Sequence, residues 1–261
     1  MSDDPISSAA ASWYGYGRWD ASYWFIGPEP GMRADEGEKL LERCSAWERL
    51  GSPELMGCFE HHNAFGYLKW HNRTSRMKVP IHDRTHRPPM QATWRQLIRL
   101  LLAYKDERAD TDAIGDYQCE SWGSLNGEIC APELSALAAR SFSVKRDRTT
   151  YLDARTEHLR KRTVENAPKF VIMYGGGERL QPEWNYIASK NRGKSPFEVE
   201  TIAGWQVGFY IDGKTTFVRT VHPVSAGSAA PPDDYWLGIA ERLKSEGPFP
   251  NHSGVTSLRS N

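Results

Sequence analysis

The 261-residue sequence has no apolar run approaching the 18 residues of a membrane-spanning helix, and no charged-then-apolar leader follows Met1-Ser2-Asp3-Asp4. A soluble, unexported protein of the cytoplasm is expected, with no membrane partner. Net charge is also missing. The 33 basic and 33 acidic side chains cancel, so only their local distribution can point to a polyanionic partner. Cysteine is scarce, and Cys44, Cys58, Cys119 and Cys130 form no C-x-x-C pair. That spacing argues against a zinc site, and four reduced cytosolic thiols are expected. There is no internal repeat and no low-complexity segment.

What the chain has in quantity is flat side chains. Ten Trp and eleven Tyr suit stacking on bases or sugars, and they equally suit core packing. The length fits one α/β domain. Residues 1–20 read as a peripheral N-terminal segment and 247–261 as a C-terminal tail. This leaves 21–246 as a single domain with a basic insertion at about 51–90. Apolar residues at helical spacing predict helices over 37–50, 90–104 and 150–166, with further helices at 132–139 and 231–243. Phe170-Val171-Ile172-Met173-Tyr174 is a buried strand stopped by three glycines, a short strand is expected around Leu125, and 205–221 reads as a hairpin turning at Asp212-Gly213. Strands alternating with helices predict a three-layer α/β/α fold around a mostly parallel sheet.

Two segments carry chemistry. Tyr23-Trp24-Phe25-Ile26 suits a strand covered on both faces, and Gly27-Pro28-Glu29-Pro30-Gly31 stops it and fixes Glu29 in a rigid turn. At the carboxyl end of a strand such a turn faces the crevice where open α/β sheets bind ligands. Far downstream, Thr216 to Val221 leads into His222-Pro223-Val224-Ser225-Ala226-Gly227, so a histidine follows an apolar strand as Glu29 does. Either segment alone is an ordinary turn; the weight lies in the pair.

The pair, with the order of elements between its members, resembles the uracil-DNA glycosylase superfamily. The first motif of that family reads Gly-Gln-Asp-Pro-Tyr, Gly-Glu-Ala-Pro-Gly or Gly-x-Asn-Pro-Gly, and its last is His-Pro-Ser-Pro-Leu-Ser or a relaxed form. The resemblance covers roughly Tyr23 to Leu243. It implies a central, mostly parallel four-stranded sheet and a monofunctional, cofactor-free enzyme that hydrolyses the N-glycosidic bond of uracil in DNA. In that reading Glu29 orients a water and stabilises the oxocarbenium-like sugar. His222, as a neutral imidazole, donates to uracil O2 while negative charge builds on the departing base. Gly27, Pro28, Pro30, Gly31 and Ser225 line the same two turns. Asn126 matches the amide that reads the Watson–Crick edge of a flipped base, and Phe65 the ring that stacks on it. A plain Asn-Gly turn and a core phenylalanine are the alternatives for these two.

The chain also departs from the family. None of the quoted motifs has Glu directly before Pro, Gly31 replaces the tyrosine that excludes the thymine methyl in one branch, and 224–227 offers no large wedge. Some branches hold a four-cysteine cluster upstream of the first motif; here Cys44 is the earliest cysteine, so a cluster is not expected.

Between His61 and Arg95, the cations Lys69, Arg73, Arg76, Lys78, Arg84, Arg87 and Arg95 face the single acid Asp83. Tyr67, Trp70 and histidines 61, 62, 71, 82 and 86 interleave with them, the composition of a phosphate-tracking surface with stacking platforms. DNA is the expected partner of a monomeric protein. The His61-His62 pair is read as having no carboxylate or cysteine at helical spacing to complete a tight site, and no metal is expected. The competing readings are a catalytically silent binder of uracil-containing or damaged DNA, and an unrelated α/β enzyme acting on a nucleotide or sugar.

Overall fold

Four bulky residues in a row, with no polar alternation, can be buried only where both faces of a strand are covered. The computed structural model describes residues 4–28, 37–66, 68–70, 78–83, 85–86, 89–137, 149–224 and 230–245. Its elements in chain order are α1 (Pro5–Ser12), β1 (Gly15–Gly17), β2 (Tyr23–Ile26), α2 (Gly37–Arg49), β3 (Leu55–Met56), α3 (Cys58–Ala64), β4 (Leu68–Trp70), β5 (Lys78–Pro80), α4 (Ala92–Tyr104) and α5 (Thr111–Glu120). There follow β6 (Ile129–Pro132), α6 (Thr149–Asn166), β7 (Phe170–Tyr174), a 3₁₀ turn (Gly177–Leu180), α7 (Gln181–Ser189), β8 (Glu198–Ile202), β9 (Trp205–Asp212), β10 (Thr215–Thr220) and α8 (Asp233–Ser245).

The main sheet runs β3-β1-β6-β2-β7-β10-β9-β8. The expected four-stranded sheet is therefore corrected to a mixed sheet of eight strands among the described residues. Its middle, β6-β2-β7-β10, pairs in parallel throughout. On one side β1 joins antiparallel to β6 with β3 parallel to it, and on the other β9 and β8 join as antiparallel hairpin strands. Hairpins add strands through tight turns, whereas each parallel pairing needs a crossover.

Helices cover both faces. In β2, Tyr23 and Phe25 pack with Phe170, Ile172 and Val218 against α2, α4, α5 and α8. Trp24 and Ile26 point the other way, with Val171, Met173 and Phe217, onto α6 and α7. Each fully buried aliphatic or aromatic side chain of this kind is worth roughly 1.5–3 kcal/mol.

Two expectations fail near the ends of strands. Residues 5–17 are not peripheral: Trp13 is buried, and β1 lies inside the sheet between β3 and β6. Nor does Pro132 open a helix. The strand expected near Leu125 lies instead at Ile129–Pro132, and the amides of Glu133, Leu134 and Ser135 then donate to the carbonyls of Tyr14, Gly27 and Pro28. Those amides are spent on neighbouring segments. Arg155 fixes this stretch from beneath, its buried guanidinium donating to the carbonyls of Leu134 (2.7 Å), Glu133 (2.8 Å) and Ala10 (3.2 Å). Burial pushes its pKa down to about 10, so it stays charged at neutral pH.

Candidate active site at the carboxyl edge of the sheet

Because β6, β2, β7 and β10 are parallel, their carboxyl ends share one edge, the place where open α/β sheets bind ligands. Four chain segments leave the sheet there: Gly27-Pro28 from β2, Glu133 from β6, Gly175 from β7 and His222 from β10. With neighbouring strands about 4.8 Å apart, the ends of β2 and β10 lie about 10 Å from each other across β7.

Gly27 is the tightest point of this edge. Its N–H donates to Pro132 O (3.1 Å), and its carbonyl accepts from Leu134 N–H (2.9 Å). A Cβ at this position would lie 2.3 Å from Glu133 Oε2 and 2.5 Å from Tyr174 Oη. The carboxylate and the phenol thus crowd against the Gly27 backbone, where only glycine fits. Burial raises the Tyr174 pKa well above the usual phenol value, with the Glu133 charge adding to it, so the hydroxyl keeps its proton and can donate.

His222 is partly buried, and burial lowers its pKa while the Val224 carbonyl works against the shift. The imidazole is therefore neutral at pH 7. Its Nδ1 is engaged with the Val224 backbone, 2.8 Å from the carbonyl oxygen and 3.0 Å from the N–H, which leaves Nε2 for a ligand. The ring stands edge-on to Tyr174 at 5.7 Å and lies against Gly175, where a Cβ would come within 3.0 Å of Cδ2.

The other sequence-predicted residues fall elsewhere. Glu29, Pro30, Gly31 and Ser225 lie outside the described residues, although Glu29 directly follows Pro28. Asn126 is exposed in the turn before β6, its N–H on Ser124 Oγ at 3.3 Å. Since β6 runs parallel to β2, the start of β6 is at the opposite edge from His222, and Asn126 is not brought to this site. Phe65 ends α3 and packs on His61 (4.8 Å) and His62 (5.6 Å). Glu133 and Tyr174 are the residues that sequence reasoning missed. Their signal was present: Ile129-Cys130-Ala131-Pro132-Glu133 repeats the pattern of an apolar strand ending in Pro-Glu, and Tyr174 directly precedes three glycines.

Within the basic insertion, β4 and β5 form an antiparallel pair that sets Lys69 opposite Val79, and Lys78 is exposed. Arg73, Arg76, Arg84, Arg87 and the side chain of Lys69 lie outside the described residues. The histidines expected on a stacking surface are corrected in part, since His61, His62 and His82 are buried. They form a second constellation. Cys58 stands one turn before His62 on α3, which overturns the expectation that no cysteine lies at helical spacing from the pair. The potential ligand atoms of Cys58, His62 and His82 all lie within 4.8 Å of one another. Burial raises the Cys58 thiol well above its usual pKa and pushes His61 down to about 3.

Comparison with known proteins adds no relative to this geometry, because no family model, no curated protein and no solved structure matches the chain.

Proposed function

We propose that the protein is a DNA glycosylase that hydrolyses the N-glycosidic bond of uracil and leaves an abasic site. The observation that carries this reading is the meeting of the two motif turns. Gly27-Pro28, which leads into Glu29, and His222-Pro223 leave the same edge of a parallel sheet with only β7 between them. The spacing of about 10 Å suits a nucleoside held between a group acting on the sugar and a group acting on the base.

In this mechanism a flipped nucleotide enters the edge. Glu29 orients a water on the sugar and takes its proton, the water oxygen bonds to C1′, and the electron pair of the breaking C1′–N1 bond leaves on uracil N1. With Nδ1 accepting from the Val224 N–H, the neutral His222 ring carries its proton on Nε2 and donates it to uracil O2 as that charge grows, and solvent later protonates the free base. Asn126 has no part. Base reading falls instead to the two groups converging beside Gly27: the Glu133 carboxylate accepts from N3–H, and the Tyr174 hydroxyl donates to O4. Cytosine, which presents an acceptor at N3 and a donor at N4, fails both contacts.

The direct test is release of free base from oligonucleotides carrying one uracil, hypoxanthine or xanthine, single-stranded and paired, with the abasic product revealed by alkaline cleavage. Uracil release is expected, fastest from single strands and mismatches, where flipping costs least. Absence of release from every substrate would end the enzymatic reading.

A further inference from the structure

The buried cluster on α3 raises a question separate from the catalytic reading. Its protons can be assigned from both ends, because a backbone carbonyl only accepts. His61 Nε2 lies 3.0 Å from the Arg43 carbonyl and so carries the proton, which leaves Nδ1 to accept from the Tyr16 hydroxyl at 2.9 Å. With its proton used there, the Tyr16 oxygen accepts from the Arg43 guanidinium at 3.3 Å and from His62 Nε2–H at 3.3 Å. In that tautomer His62 Nδ1 turns its lone pair towards His82 and Cys58. From the other end, His82 Nδ1–H donates to the Gln118 carbonyl at 3.2 Å, so His82 Nε2 is an acceptor as well. The two acceptor nitrogens face each other at 3.1 Å, with Cys58 Sγ 3.7 Å from His62 Nδ1. Two facing acceptors in a buried site repel unless a proton or a metal cation lies between them.

The geometry points to a zinc-class divalent metal site formed by Cys58 Sγ, His62 Nδ1 and His82 Nε2. A tetrahedral ion with Zn–N of about 2.05 Å and Zn–S of about 2.3 Å sets its nitrogens about 3.3 Å apart and a nitrogen and sulfur about 3.6 Å apart. The 3.1 Å and 3.7 Å separations are close to that spacing, and Cys58 Sγ lies within 4.8 Å of the His82 ring nitrogen that completes the set. A thiolate with two imidazoles selects zinc or cobalt over magnesium or calcium. The outer shell fits too: each liganding histidine gives its other ring nitrogen to an oxygen, Tyr16 Oη for His62 and the Gln118 carbonyl for His82. On binding, the Cys58 S–H proton is released to solvent and sulfur bonds the ion as thiolate. The ion would tie α3, which follows β3, to the turn after β5 and to the end of α5. It would thereby anchor the start and the middle of the basic insertion to the α/β core. Water or an added ligand completes the fourth position.

The test uses the full chain, stripped with a chelator and titrated with Zn²⁺ and with Co²⁺. One ion per chain is expected, with a thiolate-to-cobalt charge-transfer band and four-coordinate d–d absorption that Zn²⁺ abolishes. Cys58→Ser should remove the charge-transfer band. Tyr16→Phe keeps all three ligands, and it should weaken binding about 10–100-fold while retaining the cobalt spectrum. Failure of the native chain to bind either ion stoichiometrically, or a cobalt spectrum without sulfur ligation, would overturn the site and leave a shared proton between the histidines. The native chain carries this outcome even if a variant does not fold.

Discussion

The carboxyl edge of the sheet and the α3 cluster both gather titratable side chains, yet they are built in opposite ways. At the edge, Gly27, Glu133, Tyr174 and His222 come from the ends of four strands spread over most of the chain, and the loops there use their amides on one another. Backbone contacts hold the side chains in place there. In the cluster, His61, His62, Tyr16 and His82 are buried and bonded to one another and to the Arg43 and Gln118 carbonyls. The first arrangement is what a reaction needs, polar groups held in place at the end of a sheet. The second is what an anchor needs.

Substitution within each region should separate the two. His61→Ala removes the acceptor of the Tyr16 hydroxyl and the donor to the Arg43 carbonyl, together with ring contacts to Trp13 and Phe65. A loss of about 3 kcal/mol in urea unfolding is expected, with the rate of base release at saturating DNA unchanged while the protein remains folded. A normal unfolding midpoint with slowed chemistry would invert the assignment. Glu133→Gln should do the reverse: stability close to native, and discrimination of uracil from cytosine reduced by at least about tenfold, corresponding to about 1.4 kcal/mol. Competition between the two bases in one oligonucleotide measures it, and unchanged discrimination would remove Glu133 as reader.

Smaller effects should follow from pH. The folded His222 pKa lies below the ordinary value of 6.5 because burial disfavours the imidazolium. The folded state thus holds fewer protons than the unfolded state just below that value. The contribution of His222 to stability is complete above pH 6.5 and is lost as pH falls through that range. Base release should likewise stay level through pH 7 and decline only below the usual histidine range; an acid limb centred above 6.5 would contradict a neutral, buried imidazole. Least of all should Asn126→Asp matter. At an exposed turn on the opposite edge it should shift stability by no more than about 0.5 kcal/mol and leave uracil selectivity intact. A changed selectivity would reopen the role that its sequence context suggested.

Legibility in the sequence followed periodicity. α2, α4, α6 and α8 showed their apolar spacing, β2 and β7 showed unbroken runs of bulky residues and β10 a β-branched and aromatic run, so the two turns that frame the edge were visible from the start. β1 was not. It is Gly-Tyr-Gly, and the backbone of Gly17 at φ 92 presses so close to the Ile129 carbonyl that a Cβ would lie 2.0 Å from it. The end of β6 was misplaced because Pro132 is as good a helix start as a strand end, and only the neighbouring carbonyls that bind the next amides decide between them. Glu133 was lost with it. The i, i+4 step from Cys58 to His62 was written in the chain, but His82 reaches them across the β4–β5 hairpin, a separation set by no local spacing rule.

Single-turnover release of uracil at saturating single-stranded DNA, compared among the native chain, Glu29→Gln and His222→Ala, with DNA affinity measured in parallel, bears most directly on the proposed chemistry. Both groups act on charge that develops only as the bond breaks, so each variant is expected to be slower by about 10²–10³-fold with affinity held within a few fold. Native rates in both variants, or losses that track affinity alone, would contradict a reaction carried by the two turns at the carboxyl edge.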